Sequence, residues 1–137
     1  MSINISKKII CKFLIIFVLF SSLSIFSESN QILNKINDLK SVIQQNPNDP
    51  DSILSLVELY IENSIYPSAG IEMKKLHKIK DTLSPTNKFR YYRAMARYFS
   101  TQKMKLALTY FNKAIELHKD IDILTEKGKF LFSVNKF

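Results

Sequence analysis

Tryptophan is absent from the 137 residues, cysteine occurs once and glycine only twice. The lone Cys11 excludes an internal disulfide framework and any zinc site built on several thiolates. Two glycines exclude collagen-like and Gly-rich disordered material, and they argue against an all-β chain, which needs many tight turns. Gly70 and Gly128 stand 58 residues apart, so no glycine-rich dinucleotide turn can form. Ile123 occupies the position five before Gly128-Lys129, which excludes a phosphate-cradling loop. The only histidines, His77 and His118, sit among lysines, and there is no HExxH signature. Both read as solvated helix-face residues. No serine stands in a nucleophile-elbow context. The chain is therefore expected to be no enzyme and to carry no cofactor and no metal.

What is present is basic charge and apolar periodicity. Twenty Lys or Arg against twelve Asp or Glu give a net charge of +8, on a length suited to one modest domain. Lys7, Lys8 and Lys12 precede an uncharged, mostly apolar run over 13–26, after which Ser27-Glu28-Ser29 restores polarity. A basic start, a short apolar stretch and small residues at its end form the layout of a secretory signal. As a helix the run reaches about 21 Å, short of the ~30 Å hydrocarbon layer, unless Ile9 and Ile10 join it and Lys12 snorkels. Three readings stand for residues 1–27: a signal peptide cleaved after Ser27, with Ser24 and Ser29 as alternative points, a retained N-terminal membrane anchor formed by residues 9–26, or a buried core helix. The first two, which the layout favours, make the chain exported, to the periplasm or cell envelope. Cys11 precedes the apolar run, where an acylation cysteine follows it, so lipidation is not expected.

From 28 to 137 the apolar residues recur at helical spacing, and no segment alternates with period two. The periodicity predicts helices over about 32–46, 50–63, 68–81, 87–101, 103–119 and 121–134. Asp49 is the expected cap of the second, with Pro50 at its first position. Asn63–Pro67 and Ser84-Pro85-Thr86 read as breaks, with Ser68 capping the third helix. The sixth places Leu124, Leu131, Phe132 and Val134 at apolar positions. The fold class is all-α.

Two of the helix pairs share one spacing grammar, 38 residues apart. Ala69 is followed by Met73 and Leu76, and Ala107 by Phe111 and Ala114, at the same offsets. Nine residues before each alanine stands a tyrosine, Tyr60 or Tyr98. Together with Tyr91, Ala94, Met95 and the Asn46–Pro50 linker, this pattern resembles the tetratricopeptide repeat (TPR) family. The resemblance implies an antiparallel helix-pair solenoid in a right-handed superhelix. Units would fall at about 50–83 and 88–121, with half-units at 31–47 and 122–137. Small residues let helix backbones approach, and aromatics fill the space between pairs, so Tyr60, Ala69, Tyr91, Ala94, Tyr98, Ala107, Phe111 and Ala114 are the expected packing residues.

The resemblance further implies a concave groove lined by the first helix of each pair. Mapped onto this chain, the candidates to face a partner are Leu54 and Glu58 with Asp51 and Ile61 from one unit, and Phe89, Tyr92, Arg93 and Phe99 with Ala96 from the next. The stretch Lys74–Lys105 holds ten Lys or Arg and one acid, Asp81. It includes all three arginines, Arg90, Arg93 and Arg97, on one helix. They form either a basic strip for an acidic peptide, a carboxy terminus or an anionic lipid surface, or a solvated outer face. The expected partner is a protein or peptide segment of acidic character, and nucleic acid is not expected behind an export signal. The rival reading is a membrane-tethered scaffold whose basic strip touches lipid or acidic polymer; a catalytic site assembled from distant residues is the third. Residues 122–137 look like the opening of a further repeat and serve as a capping helix, as the start of a longer array, or as a face for self-association.

Overall fold

The computed structural model describes residues 29–134. The signal-or-anchor segment 1–27 and the tail 135–137 lie outside the described residues. The chain forms two units, residues 1–38 and 39–137. Helix α1 covers 29–45, and Ile36 is the buried residue among those described in it. In the second unit follow α2 (Pro50–Glu62), α3 (Tyr66–Ile79), a 3-10 turn (Lys80–Thr82), α4 (Pro85–Phe99), α5 (Met104–Leu117) and α6 (Ile121–Val134). The described residues contain no strand, and no helix among them is long and apolar enough to cross a membrane.

Helix starts follow from caps and prolines. Asp49 accepts hydrogen bonds from the backbone N–H groups of Asp51 and Ser52 and from the Ser52 hydroxyl, and Pro50 occupies the first turn. The hydroxyl bond holds the Asp49 carboxyl below its usual range. Helices α3 and α4 each begin two residues earlier than the periodicity predicts, at Tyr66 and Pro85. The correction has one physical cause. A proline lacks only an N–H that the first helical turn leaves unpaired anyway, so Pro67 and Pro85 open their helices instead of breaking them. Ser84 caps α4 by accepting from the Asn87 N–H at 3.2 Å. Ser68 lies inside α3, whose cap position is Ile65 with no side-chain bond. The turn before it is made at Ser64, whose φ is 60°.

Pairs of contacting residues give the helix directions. Between α2 and α4 the partners rise together, Asp51 with Asn87 and Arg90, Glu58 with Arg90, Glu62 with Arg97, so the two helices run parallel. Between α4 and α5 they run oppositely, Phe89 with His118 and Phe99 with Tyr110. The α3–α4 pairs Tyr66–Tyr98 and His77–Tyr91 and the α5–α6 pair Phe111–Phe130, beside Asn112–Lys127, are likewise antiparallel. Helix α2 packs on both α3 and α4.

The interiors are apolar with small residues at the closest approaches. Ala69, Ala96, Ala107 and Ala114 have no exposed surface, and Ala94 is nearly as buried. Ala96, Ala107, Phe111, Ala114, Ile123 and Phe130 form one buried cluster across α4, α5 and α6. Tyr60 and Tyr91 are buried and Tyr98 is partly so. The apolar face of α6 is corrected: Ile123 and Phe130 are buried, whereas Leu124 and Phe132 are 40% and 66% exposed. Every apolar residue of a C-terminal helix fits some stripe, and only the position of α5 selects which one is covered.

Candidate functional site

Helix α4 carries two faces about 100° apart. Phe89, Tyr92, Ala96 and Phe99 recur at i, i+3, i+7 and i+10, and this face meets α5. Tyr110 stacks on Phe99 at 5.8 Å and on Tyr92 at 6.1 Å, and Phe89 meets the His118 ring edge-on at 5.4 Å. Lys113 caps the pair of tyrosines, 5.5 Å from the Tyr92 ring centre and 5.7 Å from that of Tyr110. These aromatics therefore pack within the α4–α5 hairpin and do not line a face shared with α2. Leu54 is fully buried in α2, and so lines nothing. The aromatic correction is one of helix phase, since grouping Arg93 with Tyr92 and Phe99 joins residues that a helix directs to different neighbours; Leu54 is covered because α2 packs on both α3 and α4.

The arginines form the second face, and they are neither a free basic strip nor a solvated surface. Arg90 grips Glu58 of α2 with two parallel bonds, Nε to Oε1 at 3.1 Å and a terminal nitrogen to Oε2 at 2.7 Å. It also donates to Asp51 and to Ser55 Oγ, both at 3.1 Å. Arg93 holds Glu126 of α6 differently: its Nε and a terminal nitrogen both donate to Oε1, and Nε also reaches Oε2 at 3.3 Å. The hydrogen bonds to Glu58 and Glu126 raise both guanidinium pKa values above the ordinary arginine range. Planar fork-to-carboxylate pairing like that of Arg90 with Glu58 is geometrically specific. Behind these pairs the Asn87 amide, buried in α4, donates to Asp51 at 3.2 Å.

Arg97 differs. Its nearest acid is Glu62 at 3.6 Å, and it makes no hydrogen bond among the described residues. Its guanidinium stands where two hollows meet. One, of about 350 Å³, is lined by Glu58, Glu62, Arg90 and Arg93; the other, of about 540 Å³, by Ser64, Thr101, Glu126 and Lys129. Ile61, Glu62 and Arg97 belong to both. The face of α2, α4 and α6 is thus a polar trough with paired charges at two points and, near its wider end, two cations with donors unspent, Arg97 and Lys129.

Of the residues singled out from sequence, Glu58, Arg90, Arg93 and Arg97 come together here, while Leu54, Phe89, Tyr92 and Phe99 do not. Glu62 and Glu126 complete the trough and were not anticipated, nor was the buried Asn87–Asp51 bond between α4 and α2. For Glu62 the signal was in the sequence: Asp51, Ser55, Glu58 and Glu62 form an i, i+4, i+7, i+11 stripe on α2, complementary to the basic stripe on α4. His77 and His118 sit apart, the first 2.8 Å from the Tyr91 hydroxyl, the second 3.6 Å from Asp120. Among the described residues no three His, Cys, Asp or Glu side chains gather as a metal site. Comparison with protein-family models, with curated proteins and with solved structures finds no match.

Proposed function

We propose that this chain is an exported, TPR-like interaction module that holds an acidic peptide segment of a protein partner in the trough between α2, α4 and α6, without catalysis. The helix directions support the repeat architecture: α2 and α4 are parallel first helices, and α3 and α5 return antiparallel to them. Burial of Ala69, Ala94, Ala107 and Ala114 supports close backbone contact within and between pairs. Export rests on the basic and apolar layout of residues 1–27.

The observation that carries the partner chemistry is the inequality among the three arginines. Arg90 and Arg93 spend their N–H groups on Glu58 and Glu126, which ties α4 to α2 and to α6. Arg97, held only loosely by Glu62, keeps its fork available, and Lys129 stands across the same hollow. A carboxylate entering there gains two cations and displaces Glu62, while Glu126 in the same hollow is already neutralised by Arg93.

In-cell photo-crosslinking tests this reading. A crosslinker at Thr101 or Lys129 captures a partner protein, one at Lys75 on α3 does not, and Arg97→Glu abolishes the capture while the helical signal of the purified chain is unchanged. Equal capture from Lys75, or capture indifferent to Arg97→Glu, removes the trough from the account.

A further inference from the structure

A further hollow, of about 390 Å³, lies between α3, the C-terminal half of α4 and the loop that follows it, away from the arginine trough. Its size falls within the ~300–1,000 Å³ of small-ligand sites. The walls are Ile71, Met73, Met95, Tyr98 and Phe99. Ile71 is 59% exposed, an aliphatic side chain left in water on the wall of a cavity. No acid lines the space, whereas Lys74 and Lys103 do, and neither lysine has an ion-pair partner among the described residues. The cavity is thus an apolar slot beside two unneutralised cations.

We infer that this α3–α4 slot binds a single-chain anionic amphiphile, with the acyl chain against Ile71, Met73, Met95 and Phe99 and the carboxylate between Lys74 and Lys103. Charge complementarity fixes the sign of the head group. The scarcity of polar wall groups fixes the nature of the tail. A peptide brings an N–H and a C=O with every residue, and each needs a partner when buried. Besides the two lysines the slot offers only side-chain polar groups, Gln102, the Tyr98 hydroxyl and the Nε2 of His77, whose Nδ1 already engages Tyr91, too few to serve the backbone of a buried peptide. An acyl chain carries no polar group along its length and asks for none. Two methionines suit it further, because their unbranched side chains adapt to a flexible occupant.

The test uses the full-length chain with methyl-labelled methionine, titrated with dodecanoate below its micelle concentration. The Met73 and Met95 methyl signals shift saturably. Dodecyltrimethylammonium, with the same tail and the opposite head, leaves them in place. Lys74→Glu with Lys103→Glu, both exposed and remote from the core, weakens dodecanoate at least tenfold, and Ile71→Glu does the same with an unchanged thermal melt. Unmoved methyls, equal response to both head groups, or undiminished affinity in the charge-reversed variant overturns the assignment. A free-carboxylate apolar peptide that moves the same methyls at lower concentration than dodecanoate also overturns it, in favour of a peptide site. Neither result depends on Arg97 or on the trough.

Discussion

Three residues show how local chemistry sets limits on this chain. Tyr91 is buried, and that burial, more than any neighbouring charge, pushes its phenol above the usual tyrosine range. In the unfolded chain the phenol ionises around its ordinary value of 10.0, while in the folded chain it stays protonated to higher pH. Above that point the unfolded state binds fewer protons, so stability that is full below pH 10.0 declines as pH rises. Thermal melts from pH 8 to 11 will show a shallower alkaline decline in Tyr91→Phe than in the parent. At neutral pH the variant loses about 1 kcal/mol with the hydrogen bond to His77. Gly70 is constrained by close packing. A Cβ there lies 2.8 Å from the Tyr98 hydroxyl, while Gly128 has open space around it. Gly70→Ala therefore displaces the Tyr98 ring, against a helix-propensity gain of roughly 0.5–1 kcal/mol. Gly128→Ala takes that gain without the displacement. Paired denaturant melts check the contrast: Gly128→Ala raises the midpoint, and Gly70→Ala falls short of it.

At the scale of elements, the clasp between α2 and α4 is the informative feature. Glu58 and Arg90 are each about three-quarters removed from solvent. Arg90→Ala leaves Glu58 half-buried without its bidentate partner and also frees Asp51 and Ser55. The cost expected is about 1–3 kcal/mol, below that of a fully buried pair because solvent still reaches both groups. Arg97→Ala removes one contact at 3.6 Å and is expected to stay within about 0.5 kcal/mol. Urea titration of the two variants checks the contrast, and equal losses would mean that Arg97 is a structural residue. The comparison also shows what patterns in the chain reveal. Helix existence was legible because apolar spacing and the Asp49-Pro50 cap are local. The starts of α3 and α4 were misread because Pro67 and Pro85 mean stop or start according to what surrounds them. The trough was half legible: the arginines stood out by composition, but their roles depend on Glu58 and Glu126, which lie more than thirty residues away. Which residues of α4 meet α5 and which meet α2 is a question of helix phase, and one position of error separates Tyr92 from Arg93.

For the second unit taken whole, the decisive question is whether its helices melt together or in sequence. A stack of pairs in which each helix touches only its neighbours behaves as a chain of nearest-neighbour couplings. The contacts here have that form: α2 meets α3 and α4, α3 also touches α4, α4 meets α5, and α6 is held mainly through α5. Phe111 is the largest buried side chain of α5 and sits 5.7 Å from Phe130 of α6, within the cluster that also contains Ala96, Ala107 and Ile123. Phe111→Ala is expected to cost about 3–5 kcal/mol, the range for an aromatic removed from a packed interior. Where that loss lands distinguishes two architectures. In a nearest-neighbour stack, native-state hydrogen exchange of Phe111→Ala accelerates first in α6 and the C-terminal half of α5. The amides of Ile53–Tyr60 in α2, which pack on α3, keep most of their protection. In a closed bundle with one shared core, every helix reports the loss at once and by the same factor. Uniform acceleration across α2, α4 and α6 would therefore remove the repeat architecture. The trough would go with it as an open surface, because a face that a shared core must keep shut cannot also be free to receive a partner.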